Sequence, residues 1–481
     1  MLGVTGFFRR LFPFFVLAGI ATVGAMAEQA GHSQVSKDWP QFGSDVAGSS
    51  AYPGSTGITA ANIASLKRLQ VNLDGTVDAS VIYLNGVTVK GSKHDAFFVT
   101  TTYGKTIAVD ANQGDVLWEY TPSKYDTWAG TRQITNSTPV ADHDRQHIYA
   151  AAPDGAIRKL AISDGHALWT TPITLLAKRE KITSPLKEFR DHIIAVTGGY
   201  VGDQPPYQGH VAIIDAQSGT LLHVWNSLCS DRAGLIEPSS CSTAQSAIWG
   251  RSGAAIDAAT GNIFVATGNG PYDGKTNWGD AVIELSSDAR MIGNYTPTNN
   301  AELNDRDLDI GSTSPALLGG DNLAQGGKDG KIRLLSIKAM AGTAPHQDDE
   351  LQTVSTPSGA DLFTALAVWR HSGETWMFAA DKGGAAAWTL KDGKLVEIWK
   401  NSNGGTSPVV AGGLLYIYDP DGGKLRVYDP TDGKQVAELE SGRGHWNSPI
   451  VVDGKIALPE GNANKHASAG VLDIWSLPAG H

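Results

Sequence analysis

Short runs along the chain alternate apolar and polar residues with a period of two, as in Thr106-Ile-Ala-Val-Asp110 and Val211-Ala-Ile-Ile-Asp215. That period puts successive side chains on opposite faces of a strand. Asp-x-x-x-Gly or Asp-Gly sequences separate the runs and supply tight hairpins. One unit recurs: a Gly, a short apolar strand often ending in Asp, a Gly turn, then an aromatic or aliphatic strand. It spans 104–120, 155–171, 209–225, 279–295, 330–340, 384–399 and 423–439, and a truncated eighth copy spans 469–480.

A second, hydroxyl-rich unit precedes most copies. It reads Asn136-Ser-Thr-Pro139, Gly311-Ser-Thr-Ser-Pro315, Gly405-Thr-Ser-Pro408 and Asn447-Ser-Pro449. Pro408 and Pro449 lie 41 residues apart, which fits four short antiparallel strands per repeat. One such sheet cannot bury both faces; a ring of them can. The pattern predicts an all-β chain, an eight-bladed β-propeller of four-stranded antiparallel blades. Trp118, Trp169, Trp225 and Trp399 are expected to pack between adjacent blades. The last copy lacks an outer strand, and residues 69–75, near the other end of the chain, are expected to supply it. Little helix is expected beyond a short turn around 60–67.

Composition narrows this further. Of 481 residues, 56 are Gly, 41% are hydrophobic and 18% charged, a turn-rich globular balance. The formal net charge of −11 repels phosphate backbones, so nucleic acid is not an expected partner. Residues 1–27 have the form of a cleaved signal peptide: Arg9-Arg10, an apolar stretch to Val23, then Ala25-Met-Ala27. Residues 28–481 are then one domain, periplasmic or secreted, with no apolar run long enough for a membrane span. Export favours a disulfide between the two cysteines, Cys229 and Cys241. No CxxCH is present for a covalently attached haem, and no GxSxG for a hydrolase.

The repeat resembles the pyrroloquinoline quinone (PQQ) repeat of quinoprotein dehydrogenases. Asp38-Trp-Pro-Gln-Phe-Gly43 and Ile63-Ala-Ser-Leu-Lys67 resemble the start of quinoprotein alcohol dehydrogenases. The resemblance implies PQQ held with Ca²⁺, and oxidation of an alcohol, sugar or polyol with electrons passed to a separate acceptor. It makes Asn269, in Thr267-Gly-Asn269, a metal and cofactor ligand. It makes Asp307 or Asp309 the base that takes the hydroxyl proton, with Asp309 also at the metal. Lys328, in Gly327-Lys-Asp-Gly330, becomes the cation beside the quinone. Asp307 and Asp309 are expected on one face of an extended strand. The sequence departs from the family at three points. Gln204 stands where the metal-binding Glu is usual, with Asp203 the nearest carboxylate. The adjacent-cysteine pair is missing. The cofactor-floor Trp is displaced, Trp249 lying two residues before Arg251, which holds the usual position. The same repeat also builds non-catalytic propellers, such as an outer-membrane assembly factor, so a binding or scaffold protein of the cell envelope is the alternative.

Overall fold

A computed structural model describes residues 37–478; the expected signal segment, 1–27, lies outside them. The described residues form eight sheets whose blade strands pair antiparallel, each built mainly from consecutive strands, with the short strand Ala51–Tyr52 added in parallel to the seventh. The first blade comprises Ile82–Val89, Ser92–Thr100, Thr106–Asp110 and Val116–Tyr120. The inner strands of the next six blades begin at Val140, Glu180, Ala255, Ala316, Ala367 and Val409. In the third blade the inner edge is split into Glu180–Ile182 and Lys187–Phe189. The eighth blade holds Ile450–Val452, Lys455–Glu460 and Gly470–Ser476, and takes its outer strand, Lys67–Leu73, from the other end of the chain. The fold is the eight-bladed propeller the repeats predict.

The closing strand pairs antiparallel from Lys67 opposite Ser476 to Leu73 opposite Gly470. Its alternation carries the reason. Val71 and Leu73 face the seam with the first blade, while Arg68 turns outward to Asp473 at 2.7 Å and Glu460 at 3.0 Å. No helix among the described residues is long and apolar enough to cross a membrane.

Two recurrent contacts explain the two sequence units. Outer-strand tryptophans dock on the glycine turn of the next blade. Trp118 Nε1 donates to the Ile162 carbonyl at 2.8 Å, Trp169 to Ala216 at 3.2 Å and Trp399 to Pro430 at 2.8 Å. A Cβ on Gly165, Gly219 or Gly433 would meet these rings at 2.5–2.7 Å, and each glycine has a positive φ, so the repeat needs Gly there twice over. Trp225 packs in the core shared with the fourth blade.

The hydroxyl-rich unit latches each seam of the ring. Ser80 N donates to Thr138 Oγ1, Thr135 to the Ile182 carbonyl, Thr183 to Ile248 and Ser314 to Gly253. Thr313 donates to Thr364, Ala365 N to Ser407 Oγ, Thr406 to Asn447 and Ser80 Oγ to Ser448. These bonds form a buried belt round the channel. Thr313→Val, which keeps the shape and removes a 2.6 Å bond, is expected to cost about 1–2 kcal/mol in denaturant unfolding. An unchanged midpoint would show that the belt does not hold the blades.

The N-terminal segment crosses the channel on one side of this belt. Trp39 bridges to Tyr83, the Pro40 carbonyl accepts from Ala141 N, and Lys187 Nζ donates to the Phe42 carbonyl at 2.9 Å. Val46, Ser49, Ser50 and Thr56 bond onward to Ile256, Val368, Val410 and Gly454. Beyond the expected turn, found at Ile63–Ser65, the described residues also contain one α-helix, Asn300–Asp305, that the strand pattern does not announce. The Cys229–Cys241 disulfide is present.

Candidate functional site

Antiparallel order decides which loops meet. In each blade the inner strand starts, and the second strand ends, at the same end of the ring. That end lies across the hydroxyl belt from the N-terminal segment. The loops bearing Asp203, Arg251, Asn269, Asp309 and Lys328 all belong to it.

Four of the expected residues touch one another there. Asn269 Nδ2 donates to Asp307 Oδ1 at 2.6 Å. Lys328 Nζ reaches the same oxygen at 2.7 Å and Asp309 Oδ2 at 3.3 Å. Asp307 is exposed and Asp309 buried. Burial pushes the Asp309 carboxyl up to about 6; Lys328 opposes the rise, while Asp307 and Asp203 add to it. Burial alone would lower the Lys328 ammonium, but its two carboxylate partners outweigh that and hold it above its ordinary value.

The route to this cluster differs from the expected extended strand. After Asn300–Asp305 the chain turns through Asp307 at φ +54°, and Asp309 precedes the 3-10 turn Ile310–Ser312. The turn, not strand alternation, aims both carboxylates at Lys328. Gly268 packs between Asp309 and Trp249: a Cβ there would stand 3.0 Å from Asp309 Oδ2 and 2.7 Å from Trp249 Nε1. Trp249 meets Tyr207 edge-on at 6.4 Å. Asp203 bonds to the Tyr207 hydroxyl at 2.9 Å and touches neither Asn269 nor Asp309 through a hydrogen bond. Arg251, two residues beyond Trp249, turns elsewhere and lies over Trp446 at 4.2 Å.

Asp280 was not legible as a site residue. It is buried beside Asp309, and burial, then repulsion from Asp309, raises its carboxyl to about 8. A signal existed: the position after the repeat's first Gly holds Lys105, Ala156, His210, Lys331, Ala385, Lys424 or Val471 in the other copies, and an acid only here. A second set, Asp78, Lys181, His445 and Trp446, gathers round Arg251. Asp78 accepts from His445 Nδ1 at 2.8 Å and from the backbone N–H groups of Trp446 and Ala463 at 2.9 Å.

Residues 70–262 match a family model described as outer membrane protein assembly factor BamB. No curated protein matches the chain in sequence. Among solved structures, quinohemoprotein alcohol dehydrogenase from Comamonas testosteroni superposes with a TM-score of 0.69 at 15% identity, over 92% of this chain and 81% of that one. A europium-containing methanol dehydrogenase gives 0.67 at 14%, over 92% and 98%. BamB from Moraxella catarrhalis gives 0.52 at 13%, over 86% and 99%. At these identities the likeness establishes the fold: the chain has the repeat and the propeller of quinoprotein dehydrogenases, and assembly-factor propellers are also similar to it.

Proposed function

We propose that this chain is an exported quinoprotein-type dehydrogenase, one domain after loss of residues 1–27, that oxidises an alcohol, sugar or polyol. The observation that carries this reading is the bonded cluster of Asn269, Asp307, Asp309 and Lys328 at one end of the channel. Its donor chemistry fits the implied cofactors. Asn269 Oδ1, Asp309 Oδ1 and Asp280 Oδ2 are buried oxygens without a hydrogen-bond partner among the described residues, and oxygen donors suit Ca²⁺. Asn269 and Asp309 would hold the ion, Lys328 would face the quinone, and Trp249 would back it. When bound, PQQ supplies the two-electron acceptor and Ca²⁺ the positive charge that polarises it.

Between the two candidate bases, burial selects Asp309. A carboxylate raised toward neutrality accepts a proton better than an exposed one, and Lys328 keeps it oriented. Asp307 steers Lys328 and Asn269 at once and so acts as a positioning residue. The chain has no haem-attachment motif, so electrons would pass to a separate acceptor. The assembly-factor match over 70–262 favours a second reading, a non-catalytic propeller of the cell envelope that binds a partner.

Titration of the purified protein with PQQ and Ca²⁺ separates the two. The dehydrogenase reading expects a saturable absorbance change and dye reduction with at least one of a panel of alcohols, sugars and polyols. Neither response would leave the binding propeller.

A further inference from the structure

We propose that the site end of the channel holds an anion subsite in which Arg251, shelved on Trp446 with Lys181 and His445 beside it, takes the carboxylate of a small organic acid. Arg251 forms no hydrogen bond or ion pair with any described residue, and its guanidinium carbon lies 4.2 Å from the centre of the Trp446 ring. It lies deep enough for desolvation to pull it down to about 10, with only Asp78 opposing. Lys181 is buried too, and its Nζ has one acceptor, Asn136 Oδ1. Burial, then repulsion by Arg251, brings it to about 7. The one carboxylate nearby is already used: Asp78 accepts three hydrogen bonds, from His445, Trp446 and Ala463.

A half-buried guanidinium and a buried amine therefore share one committed acid, inside a protein of net charge −11. Desolvated positive charge without a paired acid is costly, and an arriving anion would offset that cost. Contact with the Trp446 ring holds the guanidinium, and its N–H groups have no hydrogen-bond partner among the described residues. That planar fork matches a carboxylate with two parallel hydrogen bonds. His445 is oriented the same way. Asp78 holds Nδ1, while Nε2 has no hydrogen-bond partner among the described residues and the side chain is partly exposed.

The subsite is set apart from the Asp309 cluster. Lys328 lies 6.0 Å over Phe363, and Phe363 stands 5.5 Å from Trp446, so this aromatic pair lies between Arg251 and the Lys328 cluster. A molecule with one anionic end would be oriented with that end toward Arg251. A carboxylate could belong to a free acid or, if the dehydrogenase reading holds, to the quinone itself.

The test needs no quinone turnover. Protein freed of metal by chelator is titrated with lactate and with malonate, following thermal unfolding and tryptophan fluorescence. The proposal expects a rise in Tm and a saturable fluorescence change. Arg251→Gln is expected to weaken the response at least about tenfold and, lacking the unpaired charge, to melt no lower than wild type without ligand. Trp446→Phe should lose much of the fluorescence signal yet keep a Tm rise, and Arg251→Lys should keep part of the affinity. No response to either acid, or equal binding by wild type and Arg251→Gln, overturns the subsite. A parallel PQQ titration names the source. PQQ weakened in Arg251→Gln and displaced by lactate assigns the subsite to the quinone's carboxylates. PQQ unaffected by either assigns it to the free acid. Absence of PQQ binding defeats the dehydrogenase reading alone.

Discussion

Asp309→Asn is expected to cut turnover by about 10²- to 10⁴-fold, the range for loss of a positioned general base, while the protein stays folded. The side chain keeps its shape, and Lys328 keeps its 2.7 Å partner Asp307. The same variant reports the burial of the group. The Asp309 carboxyl is raised from its ordinary 3.8 to about 6, so the native state binds its proton more tightly than the unfolded chain does. Its ionisation therefore costs native stability as pH rises through that interval; below about pH 4 it costs nothing. At pH 7.5 with chelator present, Asp309→Asn should be more stable than wild type, on the order of 3 kcal/mol. At pH 3.5 the two should melt alike. Equal turnover in the variant with PQQ and Ca²⁺ would remove Asp309 from the chemistry. Equal stability at both pH values would show that the carboxyl is solvated.

Val71→Asp should unfold the ring. Val71 is buried in the seam between the closing strand and the first blade, where a Cβ on Gly114 would stand 2.8 Å from its Cγ2. A lone carboxylate among the apolar side chains of that seam costs about 3–5 kcal/mol, much of the 5–15 kcal/mol that holds a typical domain together. Asn72→Asp, one residue on and facing solvent, should stay within about 0.5 kcal/mol. Comparing the two by denaturant midpoint checks that the cost lies in the seam. If Val71→Asp melted like Asn72→Asp, the strand would not be what closes the ring.

The architecture was legible because each blade is a local object. The alternating strands, the Asp-x-x-x-Gly hairpins and the docking tryptophans all lie within about forty residues of one another, and repetition makes the weak signals add. Even the closing strand could be read, since a truncated last copy and a spare strand near the other end imply each other. Within the site, Asn269, Asp309 and Lys328 were readable because each follows or precedes a strand in a recognisable short motif. Asp280 was hidden inside an ordinary repeat and shows only against its seven counterparts. The extended path expected for Asp307 and Asp309 failed where the short helix Asn300–Asp305 and a left-handed turn redirect the chain.

By itself, then, the sequence determined the blades, their number and the residues at each loop, because strand period and turn chemistry act between near neighbours. Only the tertiary structure decided which loops face one another. Ring closure brings Asp78, Lys181, Arg251 and His445 from four blades round one channel, and no spacing along the chain encodes that meeting. The same closure aligns the hydroxyl belt and sets the N-terminal segment across the channel from the site. Charges far apart in sequence change one another's protonation only once burial has removed the water between them.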